Sequence, residues 1–146
     1  MRTARNIALA VATTSAALAG PLVGLANAQE SAPCGSSAEA CIDLSEDQAW
    51  LMDGGAVSYG PVPITSGEPG YETPVGVFSV SYKDRDHLSR EYDNAPMPYS
   101  VFFNRGIAFH EGSLNAQSHG CIHLSHKAAK TFFANLHPGD IVQVVP

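Results

Sequence analysis

Apolar and polar residues alternate over several short segments of the chain, with the period of a half-buried β-strand. The segment 75–82 alternates most clearly, and Gly54 and Gly55 lie between two further segments, 48–52 and 56–59, where they predict a tight turn. Proline is tolerated at a sheet edge, so we expect an edge strand at the proline-containing segment 61–65. Three further strands are predicted, at 99–103, 106–109 and 141–145.

One late segment has helical spacing instead. Ser125 can cap a helix that runs to about Leu136, with one apolar stripe made of Ala129, Phe132, Phe133 and Leu136. The charged segment 83–94 is long and polar, and we expect it to be a surface loop. The pattern as a whole predicts a mainly β domain, a β-sandwich or open barrel with one late α-helix.

The first 28 residues have the composition of a secretory signal peptide. Arg2 and Arg5 precede an apolar stretch at 7–25, and the small residues 26–28 suit a cleavage site. We therefore expect a protein that is secreted or held in the cell envelope, although an uncleaved anchor remains an alternative. No later segment approaches the roughly 20 apolar residues of a stable membrane span. We expect a linker at 29–47 and one catalytic domain, a monomer, at 48–146.

Charge and cysteine content narrow the function further. Without Arg2 and Arg5, six Lys and Arg residues remain against 14 Asp and Glu, so a basic face for nucleic acid is not expected. Cys34 and Cys41 can form a disulfide in an exported protein, or lie as free thiols in a tail. Cys121 is then left over as a candidate reactive thiol.

The segment 110–124, HEGSLNAQSHGCIHL, contains the candidate chemistry. A thiol attacks carbonyls as thiolate and needs a base nearby, and His110 ends a predicted strand eleven residues before Cys121. The polar residues between them can fold the chain back. Gly120 allows backbone amides to approach a substrate, as an oxyanion hole requires.

Two alternatives use the same residues. Cys121 could be a small buried hydrophobic residue. His119, Cys121 and His123 share one face of an extended strand, and with His110 they could form the zinc site of a secreted zinc-binding protein or zinc hydrolase. The closed C-x2-C spacing typical of structural zinc sites is missing, so our prediction contains no metal and no other cofactor.

The run Ser118-His119-Gly120-Cys121-Ile122 with the upstream His110 resembles the signature of the L,D-transpeptidase catalytic domain family (YkuD type). The segment 66–78 is similar to the T-P-x-G-x-F motif of that family, and 95–99 to its pocket-wall segment. The chain departs from the family pattern at His123, where many members carry Arg or Asn.

The resemblance implies a peptidoglycan L,D-transpeptidase with Cys121 as nucleophile and His110 as base. Cys121 would form a thioester with a donor tetrapeptide stem, which an amine acceptor resolves as a 3→3 cross-link, or water resolves by hydrolysis. Ser118, His119, Gly120 and Tyr99 would form the oxyanion and substrate pocket. Peptidoglycan stem peptides and carbapenem inhibitors are the implied partners. A non-catalytic wall-binding module is the remaining alternative, although the chain has no recognisable wall-binding repeat.

Overall fold

The structure is a computed structural model that describes residues 31–146, so the predicted signal peptide at 1–28 lies outside the described residues. Nine strands and one α-helix form the domain, which confirms the expected mainly β class. The elements are β1 (Ala40–Asp43), β2 (Gln48–Asp53), β3 (Ala56–Pro63), β4 (Gly76–Ser79), β5 (Tyr82–Ser89), β6 (Ala95–Asn104), β7 (Ile107–Glu111), β8 (Ile122–Leu124), α1 (His126–Asn135) and β9 (Ile141–Val145).

The strands form two mixed sheets that enclose the core. One sheet has the order β3-β2-β1-β9-β4 and the other has the order β5-β6-β7-β8. The β1–β9 and β7–β8 pairs are parallel, and the other pairs are antiparallel. Buried side chains of both sheets and of α1 meet in one cluster, which includes Ile42, Val142, Phe109 and Ile122. This is the expected β-sandwich, with α1 covering part of the core.

The helix begins and ends where the sequence predicts. Ser125 is its N-cap, and its hydroxyl accepts a hydrogen bond from the Ala128 amide at 3.2 Å. The ring of Phe132 is fully buried and packs against Phe109 with 5.0 Å between ring centroids. Leu136 ends the helix as its C-cap. The apolar stripe therefore anchors α1 on the four-stranded sheet.

The segment 29–47 is not simply a linker, since it contains β1 in the middle of the five-stranded sheet. Ile42 of β1 is fully buried, and Cys41 forms a disulfide with Cys34. Strand β1 has only four residues and pairs in parallel with β9, about a hundred residues away in the sequence. A local pattern cannot reveal such a pairing, which is why the expected domain start at 48 was too late.

The segment 83–94 is not a surface loop either. Residues Tyr82–Ser89 form β5, the edge strand of the four-stranded sheet, and a short 3-10 helix follows at Arg90–Tyr92. Charged residues are typical of edge strands, where they discourage pairing with other chains. The charge of this segment therefore indicated a loop, although it belongs to an edge strand. The strand predicted at 75–82 is divided, because the chain passes from one sheet to the other between Ser79 and Tyr82.

Among residues 31–146, no helix has both the length and the apolar character needed to cross a membrane.

Candidate active site

Cys121 and His110 lie on the same face of the four-stranded sheet. Strands β7 and β8 are parallel neighbours, with Phe109 opposite Ile122 and His110 opposite His123. Because side chains alternate along a strand, Phe109 and Ile122 point into the core, and the residues beside them point to the other face. Cys121 packs there against Ala108, two residues before His110.

That face of the sheet forms the floor of an open cleft of about 1190 Å³. Cys121 and His110 both line it, together with His119 and Ser118 from the segment before β8. The opposite wall comes from β5 and the 3-10 helix, through residues that include His87, Glu91 and Tyr92. The structure thus brings the predicted nucleophile and base to a cavity of a size that suits a peptide or a drug-sized ligand.

The surroundings of His110 keep its imidazole neutral. Its Nδ1 lies 2.8 Å from the backbone carbonyl oxygen of Glu111, and a carbonyl can only accept, so Nδ1 carries the proton and donates. The pKa of His110 is lowered to about 4, mainly by burial; the bond to the Glu111 carbonyl opposes this shift, and the nearby His123 and His87 side chains add to it. The remaining nitrogen, Nε2, is therefore an unprotonated base at neutral pH.

The Cys121 side chain is half-buried and protonated at rest. Burial raises the pKa of its thiol, the negative charge of Glu91 adds to this, and contact with the Ala108 backbone opposes it. The sulfur lies 3.7 Å from the Gly106 carbonyl oxygen, a weak hydrogen bond in which the thiol donates. The helix cannot offset the burial: Ile122 and Leu124 pack on the side of α1, and Cys121 faces away from it.

Ser118 and Gly120 build the turn that carries Cys121. The Ser118 hydroxyl accepts a hydrogen bond from the Gly120 amide at 3.0 Å and donates to the Cys121 carbonyl at 2.6 Å. Gly120 has a φ of 119°, which side-chain-bearing residues rarely adopt. Its amide is thus engaged within the turn instead of pointing into the cleft, so the structure does not bring this predicted oxyanion donor to the site.

Thr73, which was not among the predicted site residues, stabilises the same 118–121 turn. Its hydroxyl donates to the Gly120 carbonyl at 2.8 Å and accepts from the Gly67 amide at 3.1 Å, and the side chain is buried. Thr73 is the first residue of the T-P-x-G-x-F motif, so the motif marked this residue without showing what it does. Its partner Gly120 lies 47 residues away, which no local pattern reveals.

His119 joins the two walls of the cleft. Its ring stacks on Tyr71, with 4.1 Å between centroids, and its Nδ1 lies 3.0 Å from the Tyr92 hydroxyl. Its Nε2 lies 3.2 Å from a carboxylate oxygen of Glu68. Sequence reasoning placed His119 in the pocket but missed Tyr71, Tyr92 and Glu68. The sequence signal for Tyr71 was its place in the 66–78 segment, which resembles the family motif, whereas Tyr92 and its contact with His119 depend on a pairing 27 residues apart.

The structure gives the zinc alternative no support. In residues 31–146, no three His, Cys, Asp or Glu side chains are grouped so that they could hold a metal ion. His119 is engaged with Tyr92 and Glu68, and Nδ1 of His123 lies 3.0 Å from the Ser113 carbonyl oxygen. The predicted alternation along one strand face therefore does not bring the sulfur and the ring nitrogens to a common point.

Tyr99 lies away from the other predicted pocket residues. It packs against α1, edge-on to Phe133 at 5.8 Å and to His126 at 5.7 Å between ring centroids. The side chains that line the cleft from β6 are instead those of Ala95, Pro96, Met97 and Phe102. Of the predicted pocket-wall segment 95–99, Ala95, Pro96 and Met97 line the cleft, whereas Tyr99 packs on the other face of the sheet.

The fold and the site together define the class of protein. It is a β-sandwich in which a cysteine and a histidine lie close together along one sheet and line an open cleft. The profile of the L,D-transpeptidase catalytic domain family (YkuD) matches residues 37–144. The chain therefore belongs to this family. The match begins before β1, in agreement with the early start of the domain in the structure.

Solved structures of similar fold are L,D-transpeptidases. One from Stackebrandtia nassauensis is 26% identical with a TM-score of 0.72, and the match covers 84% of this chain and 62% of that one. One from Mycobacterium tuberculosis is 26% identical with a TM-score of 0.67, covering 77% and 59%. LdtMt1 in complex with imipenem is 25% identical with a TM-score of 0.66, covering 76% and 60%.

The chain spans about three fifths of the length of these solved proteins. No curated protein sequence matches it.

Proposed function

We propose that this protein is a peptidoglycan L,D-transpeptidase that works through a thioester on Cys121. The observation that carries the proposal is the placement of Cys121, directly before β8, and of a neutral His110 on the neighbouring strand β7, both lining the cleft. With Nδ1 bound to the Glu111 carbonyl, His110 presents Nε2 as the base that the thiol needs.

In the first half-reaction, Cys121 Sγ attacks the carbonyl carbon of the third residue of a donor tetrapeptide stem. His110 Nε2 takes the thiol proton as the carbon–sulfur bond forms, and returns it to the amine of the departing D-Ala as the peptide bond breaks. The product is a thioester. A protonated thiol beside a neutral imidazole makes this a general-base step, in which the thiolate forms during attack.

In the second half-reaction, a side-chain amine of another stem attacks the thioester carbonyl. Nε2 accepts the proton of that amine, the carbon–sulfur bond breaks, and Cys121 leaves and is reprotonated. Transfer to the amine gives a 3→3 cross-link, and transfer to water gives a tripeptide. His119, with Tyr71 and Tyr92 around it, is proposed to border the bound stem.

The place of action follows from the same proposal. Peptidoglycan lies outside the cytoplasmic membrane, and the predicted signal peptide at 1–28 suits export to the cell envelope. The Cys34–Cys41 disulfide supports this, because disulfides persist in oxidising compartments.

The direct test is incubation of the chain from Gln29 onward with a disaccharide-tetrapeptide, followed by mass analysis of the products. We expect loss of the terminal D-Ala together with a cross-linked dimer or a tripeptide. Cys121→Ala is the matched control and should yield neither. Equal turnover by the Cys121→Ala variant, or no turnover by the wild type, would contradict the proposal.

A carbapenem offers a second test that needs no peptidoglycan. The related LdtMt1 has been solved in complex with imipenem. We expect imipenem to add once to the wild-type protein, because its strained lactam presents a carbonyl to the activated thiol. Intact-mass spectrometry measures the adduct, and Cys121→Ala should gain no mass. An equal gain on the variant would place the reactive group elsewhere.

A further inference from the structure

His123 stands at the position where many family members carry Arg or Asn, and the structure gives its ring a specific set of contacts. Its backbone pairs with Thr65, the two amides donating to the opposite carbonyls at 2.9 and 3.3 Å. Its ring lies edge-on to that of His110, with 4.9 Å between centroids. His123 is therefore the immediate neighbour of the proposed base.

The hydrogen bonds of His123 fix its tautomer. Nδ1 lies 3.0 Å from the Ser113 carbonyl oxygen and 3.3 Å from that of Ala116, and both oxygens can only accept. The Thr65 hydroxyl lies 2.8 and 3.1 Å from the same two oxygens and 3.1 Å from Nδ1, and since its single proton can serve only one acceptor, the other carbonyl needs the proton on Nδ1. The Nδ1 proton of His123 and the hydroxyl proton of Thr65 are thus the two donors for the carbonyls of Ser113 and Ala116. His123 and Thr65 together hold the loop 113–116.

The ring of His123 also supports the peptide unit that orients His110. That unit joins Glu111 to Gly112: its carbonyl accepts from His110 Nδ1 at 2.8 Å, and its amide donates to the Leu124 carbonyl at 3.0 Å. Gly112 lies directly on the His123 ring, so closely that an added Cβ would stand 2.6 Å from ring carbons. The His123 ring thus packs against Gly112 of this peptide unit, and its Nδ1 bonds to the carbonyl of the next residue, Ser113.

We propose that His123 is a positioning residue that keeps His110 in its reactive tautomer. It fixes the 111–113 segment, and this segment presents the Glu111 carbonyl that holds the proton on His110 Nδ1 and leaves Nε2 free. The inference rests on the proposed acyl transfer for its kinetic consequence, whereas the tautomer of His110 follows from the contacts alone. His123 donates through Nδ1 and takes no proton from the substrate.

Two substitutions of His123 test its Nδ1 hydrogen-bond donor and its aromatic ring separately. In His123→Asn, the side-chain amide can place an N–H near the position of Nδ1, so the bond to Ser113 is retained. In His123→Phe, the ring remains under Gly112 and beside His110, but the donor is lost. His137→Phe is the control, because His137 is exposed and its ring pairs only with Asp140.

The first measurement is the rate of imipenem addition to Cys121. We expect His123→Phe to slow it by about 10-fold or more, the scale of a slightly misplaced catalytic group, and His123→Asn to remain within about 3-fold of wild type. His137→Phe should leave the rate unchanged. If Asn and Phe slow the reaction equally, the Nδ1 donor is not what positions His110 and the proposal is wrong; if neither slows it, the proposal is also wrong.

The second measurement is the ¹⁵N chemical shift of the His110 ring nitrogens, with circular dichroism to verify folding. We expect the Nδ1–H form in the wild type and in His123→Asn, and a mixture of tautomers in His123→Phe. An unchanged Nδ1–H form in a folded His123→Phe protein would overturn the inference. This measurement remains valid if imipenem does not react with the wild type, an outcome that would count against the proposed function alone.

Discussion

His110 is a buried imidazole whose Nδ1 donates a hydrogen bond to the Glu111 carbonyl. Burial lowers its pKa to about 4, and the same burial raises the pKa of the Cys121 thiol. Both shifts favour neutral forms, so the pair rests as thiol and imidazole. The proton then moves during attack, which fits a nucleophile that should stay inert until a substrate fills the cleft.

The pH dependence of acylation follows from this state of His110. The reaction needs the neutral imidazole, so the rate of imipenem addition should be level above about pH 5 and fall to half near pH 4, where His110 is protonated. An unburied histidine would give the half-point near 6.5. Stopped-flow or quenched mass measurements between pH 3.5 and 8 test this, with circular dichroism as a check on folding. A half-point near 6.5 would mean that burial does not lower the pKa of His110.

Removing His110 tests the same role at neutral pH. We expect His110→Ala to slow acylation by about 10²-fold or more, the usual scale of a lost general base. His123→Ala should slow it far less, because the base itself remains. Quenched mass measurements at pH 7 give both rates, and equal losses would mean that His110 has no special role.

Stability should also depend on pH through His110. Its folded pKa of about 4 lies below the value of about 6.5 of the unfolded chain, so the unfolded state binds the proton first as pH falls. The corresponding stability is complete above pH 6.5 and is lost as pH falls toward 4. Between pH 7.5 and 4.5 we expect a loss of about 2 kcal/mol in the free energy of unfolding.

Urea unfolding at the two pH values measures that loss, and His110→Gln should remove it because glutamine does not titrate. Other histidines contribute equally to both proteins, so the difference between the variant and the wild type isolates His110. An equal acid loss in the two proteins would show that His110 is not buried in its neutral form.

At the scale of elements, the nucleophile depends on a turn that two distant segments build together. The 118–121 turn precedes β8, and the 66–73 segment precedes β4. Thr73 joins them by bonding the Gly67 amide and the Gly120 carbonyl. The geometry of Cys121 is therefore set by a hydroxyl of another segment as much as by its own sequence.

Thr73→Val keeps the shape of the side chain and removes the hydroxyl, leaving two buried backbone groups without their partner. We expect a loss of about 1–3 kcal/mol in the free energy of unfolding, the cost of such unsatisfied groups, and slower addition of imipenem. Thr131→Val is the matched control, since Thr131 is only partly buried and its hydroxyl donates to the Lys127 carbonyl within α1. Denaturant unfolding and mass kinetics give both values. Equal effects of the two substitutions would contradict the role of Thr73.

The elements also explain which parts of the site could be predicted. Cys121, His110, Ser118 and Gly120 lie in one short segment, so a local motif identified them. The wall formed by β5 and the 3-10 helix was missed, because charge at a sheet edge resembles charge in a loop. Tyr99 was misplaced because Met97, two residues earlier, lines the cleft, and strict alternation would put both side chains on one face. Tyr99 instead has a φ of 59°, which interrupts the alternation, and its ring packs on α1.

At the scale of the whole molecule, the N-terminal segment is part of the sandwich. Strand β1 lies between β2 and β9, and Cys41 on it is bonded to Cys34. The cysteine on β1 packs with Trp50 and Met52 on the outer face of this sheet, away from the main core and from Cys121. The disulfide therefore stabilises the first strand without touching the site.

Replacing both Cys34 and Cys41 by Ser should lower the free energy of unfolding by up to about 2.5 kcal/mol, the chain-entropy value for so short a loop. Addition of imipenem to Cys121 should continue at the wild-type rate at temperatures where the protein remains folded. Thermal or denaturant unfolding gives the first value and intact mass gives the second. Loss of the adduct from a folded double variant would show that the N-terminal strand controls the site.

The sequence by itself determined the strand-rich class, the capped helix and the pair of Cys121 and His110, because each depends on residues close together along the chain. Only the tertiary structure decided the place of β1, the wall from β5 and the contacts of Thr73 and His123. Strand β1 pairs in parallel with β9, about a hundred residues away, Thr73 bonds to Gly120, 47 residues away, and His123 contacts Thr65, 58 residues away, so no local pattern reveals these partners. Local motifs thus predict the candidate nucleophile and base, and tertiary packing decides the burial of His110 and the geometry of the turn that carries Cys121.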